Sequence, residues 1–430
     1  MHKLIRNLLT GIVIITSINT VHSQSKTYSP FSRHGLGELN YRGFGRNDAM
    51  GNTGIGVRSS LHLNSMNPAS YNAIDSTSFF FEAGISNYIQ QLKLGDDTQT
   101  FSDIDYDYFA LGIPLSSNAA VSVGLRPAVR TGYEFELIDN GDNPVGHRAL
   151  GTGNITSLYG GFAYNVTPEL SLGVHGTYWF GDITHTSFQE FINDPHAYKY
   201  GVKNEHDIST FFIDFGAQYT HQLSDQRHIT VGAVFRPTTS MNGSTSALLA
   251  RSLSNYDIEG NLFMENDTVS SGTYEIDWNG SIAELPAKYG IGASYVIEDK
   301  LTLAADYERQ QWGEVNFPDN ISQLANSQYI GAGAEYIPDL RTGSGYFQRV
   351  RYRAGIHYRE DYLKIDGDQI QDIGMSFGLG LPVGRTRTSI NLGVEFGKRS
   401  TNSNQISENY TRISLNFTMH ENWFRQRRIQ

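Results

Sequence analysis

The amino-acid sequence predicts an all-β fold, a transmembrane antiparallel β-barrel of about 14 strands, on three observations. Apolar and polar residues alternate along residues 77–419, as in strands with one lipid-facing side and one lumen-facing side. Aromatic residues make up 12% of the chain, beside 44 glycines and no cysteine. The connections between the alternating segments are short and long in turn, as the two ends of such a barrel require.

The first 23 residues have the pattern of a signal peptide. Lys3 and Arg6 form a basic start, Leu8 to Ile18 is mostly apolar, and Val21-His22-Ser23 is a cleavage site with small residues. A membrane-anchor helix is the competing interpretation, but the apolar run is too short to span a bilayer comfortably. We therefore expect an exported chain, and its formal net charge of −11 argues against nucleic acid as a partner.

The clearest predicted strand runs from Arg385 to Gly397, where one face carries Thr386, Thr388, Ile390, Leu392, Val394 and Phe396. About 14 such segments, an even number, form the predicted barrel over residues 77–419. A soluble propeller or sandwich would also alternate, but it would not explain the alternating connection lengths. Long outer loops are predicted at 134–152, 184–207 and 239–285, and residues 420–430 are predicted to form a basic periplasmic tail.

The stretch from Ala49 to Asp75 is punctuated by glycines and has too few apolar residues to form its own core. Glycine permits positive φ and close approach of two backbones, and Asn-Pro indicates a turn. The stretch is therefore predicted to lie against a larger structure, with a surface loop as the alternative. Its candidate functional residues are Ala49, Met50, Gly51, Gly54, Asn67, Pro68 and Ala69.

These motifs resemble the N-terminal hatch of the FadL-like outer-membrane channels, which carry an AMGGAG…NPA pattern before the first barrel strand. Asn52 stands where that family usually has glycine. Residues 28–37 are similar to the N-terminus of Bacteroidetes-type members, to which PorV-type proteins are related. The resemblance implies that residues 24–76 form a hatch inside a barrel. It also implies a place in the outer membrane of a Gram-negative bacterium, surrounded by outer-membrane lipid.

Pro127 falls within the third predicted strand, where it cannot donate to the ladder and indicates a bulge, a kink or a gap. FadL-like channels are known for a kink in the third strand that opens the wall sideways. The resemblance therefore implies a lateral opening at Pro127, and a bulge near a strand end is the alternative.

Arg349, Arg351 and Arg353 alternate along a predicted strand and are expected to face the lumen as a basic ladder. Two roles stay open for the ladder. It pairs with lumen carboxylates such as Asp306 or Glu395, or it holds an anionic head group.

Signals for catalysis and cofactors are poor. The sequence has no G-x-S-x-G elbow, H-E-x-x-H pair or P-loop, so we predict neither an enzyme nor a cofactor. Asp103, Asp105 and Asp107 share a strand face and offer oxygen ligands, but salt-bridged or solvated acids are the commoner arrangement. His185 and His196 lack a third ligand, so no metal site is predicted.

Two functions follow from the resemblance. The first is passive uptake of a hydrophobic small molecule, fatty-acid-like, that passes the hatch and leaves through the wall. Apolar residues in the loop 239–285 would capture it: Leu248, Leu249, Leu262 and Phe263. The second is an accessory subunit of an outer-membrane protein machine, PorV-like, in type 9 secretion or barrel assembly. A polar lumen without a continuous apolar path would favour the second function.

Overall fold

Antiparallel strands dominate the computed structural model, which describes residues 29–75, 78–95, 97–139, 144–194, 196–252, 274–315, 323–341, 343–365, 367–384, 387–401 and 406–422. Within these ranges, eighteen strands are joined in one sheet. They are β1 (Glu38–Leu39), β2 (Ser78–Leu94), β3 (Asp97–Pro114), β4 (Ala119–Asp139), β5 (Val145–Asn165), β6 (Leu170–Phe191), β7 (Lys199–Ser224), β8 (Arg227–Arg236), β9 (Thr239–Ser252), β10 (Tyr274–Leu285), β11 (Lys288–Ile297), β12 (Leu301–Gln310), β13 (Gln323–Leu324), β14 (Ser327–Tyr336), β15 (Arg351–Ile365), β16 (Asp368–Pro382), β17 (Ser389–Ser400) and β18 (Ile406–Asn422).

The sheet closes into a barrel of 14 strands. The last strand, β18, pairs with β2 from Ile406–Leu94 to Asn422–Ser78. Two barrel strands are interrupted: Pro237 separates β8 from β9, and Pro286 separates β10 from β11. The predicted fold class is therefore confirmed. No helix in the described ranges is long and apolar enough to cross a membrane.

The wall is apolar outside and polar inside, as the alternation predicts. On β16, Phe377 is 51% exposed on the outer side, whereas its neighbour Ser376 is 2% exposed and faces the lumen. The two sides of a strand alternate with each residue, so the outer row meets lipid and the inner row fills the lumen.

The three long loops predicted from the sequence are wrong over most of their length. β4 continues to Asp139 and β5 begins at Val145, while β6 and β7 cover most of residues 184–207. β9 and β10 likewise occupy both ends of residues 239–285, and residues 253–273 lie outside the described ranges. These strand ends stand beyond the lipid, so they lack the regular alternation of apolar and polar residues that identifies membrane strands.

One side of the wall stands far above the other. β7 has 26 residues, which rise about 65 Å at about 3.4 Å per residue and a tilt of about 40°. β14 has 10 residues, about the length of the apolar band of such a barrel. We call the projecting part the crest: residues 131–139, 145–153, 183–191, 199–208, 239–252 and 274–285. It lies at the end opposite the short turns, which is the outer end by the usual barrel asymmetry.

Residues 29–75, here called the lumen segment, lie inside the barrel. They contain β1, a four-residue helix α1 (Gly45–Asp48), and 3-10 helices at Pro30–Arg33 and Pro68–Ala73. The predicted signal peptide and residues 24–28 lie outside the described ranges, as do residues 423–430 of the predicted tail. Residues 420–422 belong to β18, so the predicted start of that tail is wrong.

Candidate functional site in the barrel lumen

Asp306 on β12 fixes the centre of the lumen segment to the wall. Its carboxylate, 4% exposed, accepts the backbone N–H groups of Gly54 at 2.5 Å and Ile55 at 2.8 Å. The sequence left open a pairing of Asp306 with an arginine of the basic ladder, but these two N–H groups are its donors in the structure. A buried carboxylate needs donors, and two consecutive N–H groups of a glycine-rich turn supply them.

Asn67 joins two parts of the lumen segment to each other and to the wall. Its side-chain oxygen accepts the N–H of Ala69 at 3.0 Å and caps the 3-10 helix that starts at Pro68. Its amide nitrogen donates to the carbonyls of Ile55 at 2.8 Å and of Ala217 on β7 at 3.1 Å. Asn67 is fully buried, so its side chain has no contact with solvent and its polar atoms depend on these hydrogen bonds.

The wall has glycines, without side chains, where the lumen segment packs closely against it. Gly333 on β14 stands opposite Gly355 on β15. A Cβ added to Gly355 would overlap the backbone nitrogen of Gly51, and one added to Gly333 would overlap the carbonyl of Met50. The two glycines therefore form a recess that admits a peptide and no side chain.

Three more cross-strand glycine pairs contact the other predicted motifs in the same way. They are Gly173–Gly216 against Asn67, Pro68 and Ala69, Gly232–Gly292 against Ile55, and Gly378–Gly393 against Ala49. The sequence contained a signal for them, since these glycines occupy inward positions near the middle of neighbouring strands.

Asn52 occupies the position at which the sequence departs from the AMGGAG pattern. Its φ of 55° lies in the left-handed region, where asparagine is among the few tolerated non-glycine residues. Its side chain accepts the N–H of Gly43 at 2.5 Å and donates to the carbonyl of Tyr41 at 2.8 Å. Asparagine thus keeps the glycine-like backbone and adds two hydrogen bonds within the lumen segment.

Glu335 on β14 holds two buried arginines at once. Its oxygens accept from Arg46 of the lumen segment at 2.8 Å and from Arg353 on β15 at 2.7 Å. Arg353 also donates to Asn391 on β17 at 2.7 Å. Arg353 and Arg351 face the lumen, whereas Arg349 precedes β15, where its guanidinium lies 3.4 Å from the carbonyl of Gly384.

A second cluster of charged residues joins the lumen segment to β3 and β18. Arg412 on β18 contacts Asp48, and its other amino group lies 2.9 Å from Asp107 on β3. Glu395, one of the carboxylates suggested as a partner of the basic ladder, pairs with Arg42, whereas Arg353 of the ladder pairs with the lumen carboxylate Glu335. Within the described ranges, no group of three or more His, Cys, Asp or Glu residues could hold a metal ion.

Pro127 marks the point at which β3 and β4 part. Their pairing runs from Pro114–Ala120 to Phe109–Leu125, and β4 has a bulge against β5 at Pro127. Above that point β4 pairs with β1 through Leu39–Val129. We call the interval between residues 97–108 of β3 and 126–139 of β4 the seam.

Side chains of the wall and backbone of the lumen segment fill the seam. The N–H of Asn40 donates to the carbonyl of Ala128 at 2.8 Å, and that of Ser29 donates to the carbonyl of Gly132 at 3.1 Å. Arg130 reaches across to Asp105 at 3.0 Å. The lumen segment therefore contacts the β4 edge of the seam, and Arg130 bridges the seam to β3.

Two of the four predicted capture residues, Leu248 and Leu249, lie in the described part of the chain. Leu248 is half-buried on β9, and the backbone of Leu249 pairs with that of Val202 on β7. Leu262 and Phe263 lie outside the described residues.

A cavity of about 100 Å³ remains between the lumen segment and the wall. The charged residues that line it are Arg126, Asp214, Arg236, Lys288 and Glu308. It lies beside the breaks at Pro237 and Pro286, because the residues that flank both breaks contribute to its lining. Charged and polar side chains therefore interrupt the apolar part of the lining.

Three solved structures share this architecture. CymD, a monoaromatic hydrocarbon channel, is 15% identical, with 90% of this chain and 100% of CymD covered and a TM-score of 0.56. The Ralstonia pickettii toluene transporter TbuX is 15% identical, with 88% and 98% covered and a TM-score of 0.58. A Pseudomonas aeruginosa FadL homologue is 13% identical, with 88% and 98% covered and a TM-score of 0.54. Among curated protein sequences, none matches this chain.

At these identities the similarity shows a shared fold, and that fold is the FadL-like outer-membrane barrel. The family profile named BamG matches residues 4–430. The chain therefore belongs to the BamG family.

Proposed function

We propose that this protein is a closed outer-membrane barrel that works through protein contacts, as an accessory subunit of an outer-membrane protein machine. The filled lumen is the observation that carries the proposal. Buried ion pairs and backbone contacts hold residues 29–75 against the wall, and the cavity beside them is lined by five charged side chains. Moving a hydrophobic molecule past these charges would require desolvating them, which is costly.

The crest is the proposed contact surface. Leu137 is 57% exposed and Ile138 is 51% exposed, at the end of β4 and above the expected lipid band. Adjacent strand residues point to opposite faces, so both faces of this strand offer apolar surface to water. Exposed apolar surface outside the bilayer is typical of a protein interface.

Two outer-membrane machines are candidates for such a subunit. The sequence left type 9 secretion and barrel assembly open as alternatives. Membership in the BamG family, by the Bam prefix of its name, favours barrel assembly.

The test is purification of the tagged, full-length protein from native outer membrane in mild detergent, followed by mass spectrometry of all co-purifying molecules. We expect a stoichiometric protein partner and no bound hydrophobe. The double variant Leu137→Ser/Ile138→Ser should lose most of the partner, because it removes apolar surface from the crest.

The matched control is Val166→Ser, which changes an apolar residue of 52% exposure in a short turn at the other end of the barrel. It should keep the partner. Recovery of a barrel that carries a hydrophobe and no stoichiometric protein would overturn the proposal.

Uptake of a hydrophobic small molecule is the second candidate, and the seam at Pro127 favours it. The strands part there, as a lateral exit requires, and the solved structures of similar fold include a toluene transporter and a monoaromatic hydrocarbon channel. Arg130→Met would remove the contact with Asp105 across the seam. If the seam is an exit, this variant should speed uptake of a labelled aromatic hydrocarbon into proteoliposomes, while Arg341→Met at an exposed connection should not. Equal uptake by liposomes without protein would exclude this candidate.

A further inference from the structure

The lumen cavity contains a buried arginine with an unused hydrogen-bond donor. Arg236 ends β8 and is 6% exposed. Its Nε has no hydrogen-bond partner in the part of the chain that the structure describes, and its Nη2 lies 3.5 Å from the oxygen of Gln310. Its guanidinium lies 5.2 Å from the ring centre of Phe212. A buried guanidinium with an unused N–H is costly unless something accepts from it.

Arg126 lines the same cavity from β4. Its Nη1 donates to the carbonyl of Arg42 at 3.1 Å. Among the described residues, the ion pairs include no carboxylate within 4.0 Å of Arg126 or of Arg236. Neither guanidinium group therefore forms a direct ion pair with a carboxylate of the described residues.

The other charges around the cavity are already engaged. Lys288 pairs with Asp214 at 3.0 Å, and the oxygen of Glu308 accepts from Gln310 at 2.8 Å. Three cationic and two anionic side chains line the space, which leaves an excess of one positive charge. The excess belongs to the two arginines, since Lys288 has a carboxylate partner.

We propose that this cavity binds a small oxyanion, a carboxylate or a phosphate, between Arg126 and Arg236. Guanidinium groups present paired N–H donors in a plane that matches two oxygens of such an anion. The cavity volume of about 100 Å³ suits a small head group and excludes a long acyl chain. Trp179 and Trp312 also line the cavity and would flank an organic part of the ligand. This inference does not depend on the proposed protein contacts.

The test uses the full-length barrel in detergent and follows intrinsic tryptophan fluorescence, because two of the four tryptophans of the chain line the cavity. The probes are inorganic phosphate, benzoate and toluene, each titrated to about 10 mM, a range that detects weak millimolar binding. We expect a saturable change with phosphate, with benzoate, or with both. Binding of phosphate alone identifies an inorganic ligand, and binding of benzoate alone identifies an organic acid.

Arg236→Gln should weaken binding at least tenfold, and Arg236→Lys should keep part of it, because a charge remains without the planar donors. Arg126→Gln is the second variant, for the case in which Arg236→Gln does not fold. Arg341→Gln, at an exposed connection far from the cavity, is the control and should bind like the wild type. Three results would overturn the proposal. They are saturable binding of toluene alone, failure of both phosphate and benzoate to bind, and unchanged anion binding by both arginine variants.

Discussion

The carboxylate of Asp306 on the barrel wall accepts a hydrogen bond from the backbone N–H of Ile55 in the lumen segment, at 2.8 Å. The same oxygen accepts the N–H of Gly54. Asp306→Ala should therefore destabilise the docked lumen segment by about 1.5–3 kcal/mol, the usual range for hydrogen bonds to a charged group. The measurement is the rate of proteolysis within residues 29–75 in detergent, which should rise. Asp306→Asn should fall between this variant and the wild type, and Asp225→Ala in an exposed turn should match the wild type.

The glycine recess against Gly51 gives a second prediction. Gly355→Ala would push a methyl group into the backbone of Gly51 and should cost about 1–3 kcal/mol of stability, as overpacking does. Gly160→Ala is the matched control, because a Cβ there meets no atom within 4 Å. Thermal unfolding in the same detergent compares the two. Equal midpoints would show that the lumen segment does not press on the wall at Gly355.

Glu335 neutralises Arg46 and Arg353 together, so removing its charge leaves two buried cations without a carboxylate. Glu335→Gln should be strongly destabilising, by about 3–5 kcal/mol, the range for breaking a buried ion pair on one side. Urea unfolding measures the loss. Glu298→Gln, at a carboxylate whose side chain is 53% exposed, should change stability little. A small effect at Glu335 would mean that the two arginines reach water.

The pairing of β1 with β4 can be tested by a cross-link, because the chain contains no cysteine. Leu39 and Val129 are directly opposite in the antiparallel register. Opposed residues of this kind have Cα atoms about 4.5–5.5 Å apart, within the range of a disulfide. Leu39→Cys/Val129→Cys should therefore oxidise readily and shift on a non-reducing gel. The pair Leu39→Cys/Val123→Cys should not, since Val123 faces outward on β4. Cross-linking of both pairs alike would place the lumen segment elsewhere.

The barrel was predictable because lipid imposes one rule on every strand that crosses it. Phe377 and Ser376 alternate as that rule requires, and the fold class followed from such pairs. The crest escaped prediction for the same reason. Beyond the lipid, residues 199–206 of β7 need no apolar face, and only their pairing with β6 and β9 reveals them as strand.

The sequence indicated which motif residues belong to the candidate site, but not which residues are their hydrogen-bond and ion-pair partners. The motif residues Ala49, Gly51 and Asn67 all contact the wall, but the donors to Asp306 and Glu395 differ from the basic ladder that the sequence suggested. Those partners lie hundreds of positions away along the chain, and no local pattern specifies which lumen carboxylate meets which donor.

The four glycine pairs bear on how the molecule holds together as one unit. Without residues 29–75, the wall would lose the contacts that now cover Gly173–Gly216, Gly232–Gly292, Gly333–Gly355 and Gly378–Gly393, where the wall itself contributes no Cβ. The lumen segment has no core of its own, so it would not be stable away from the wall. The lumen segment and the wall therefore share one interior. The protein should unfold in a single transition, without separate unfolding of the lumen segment and of the barrel.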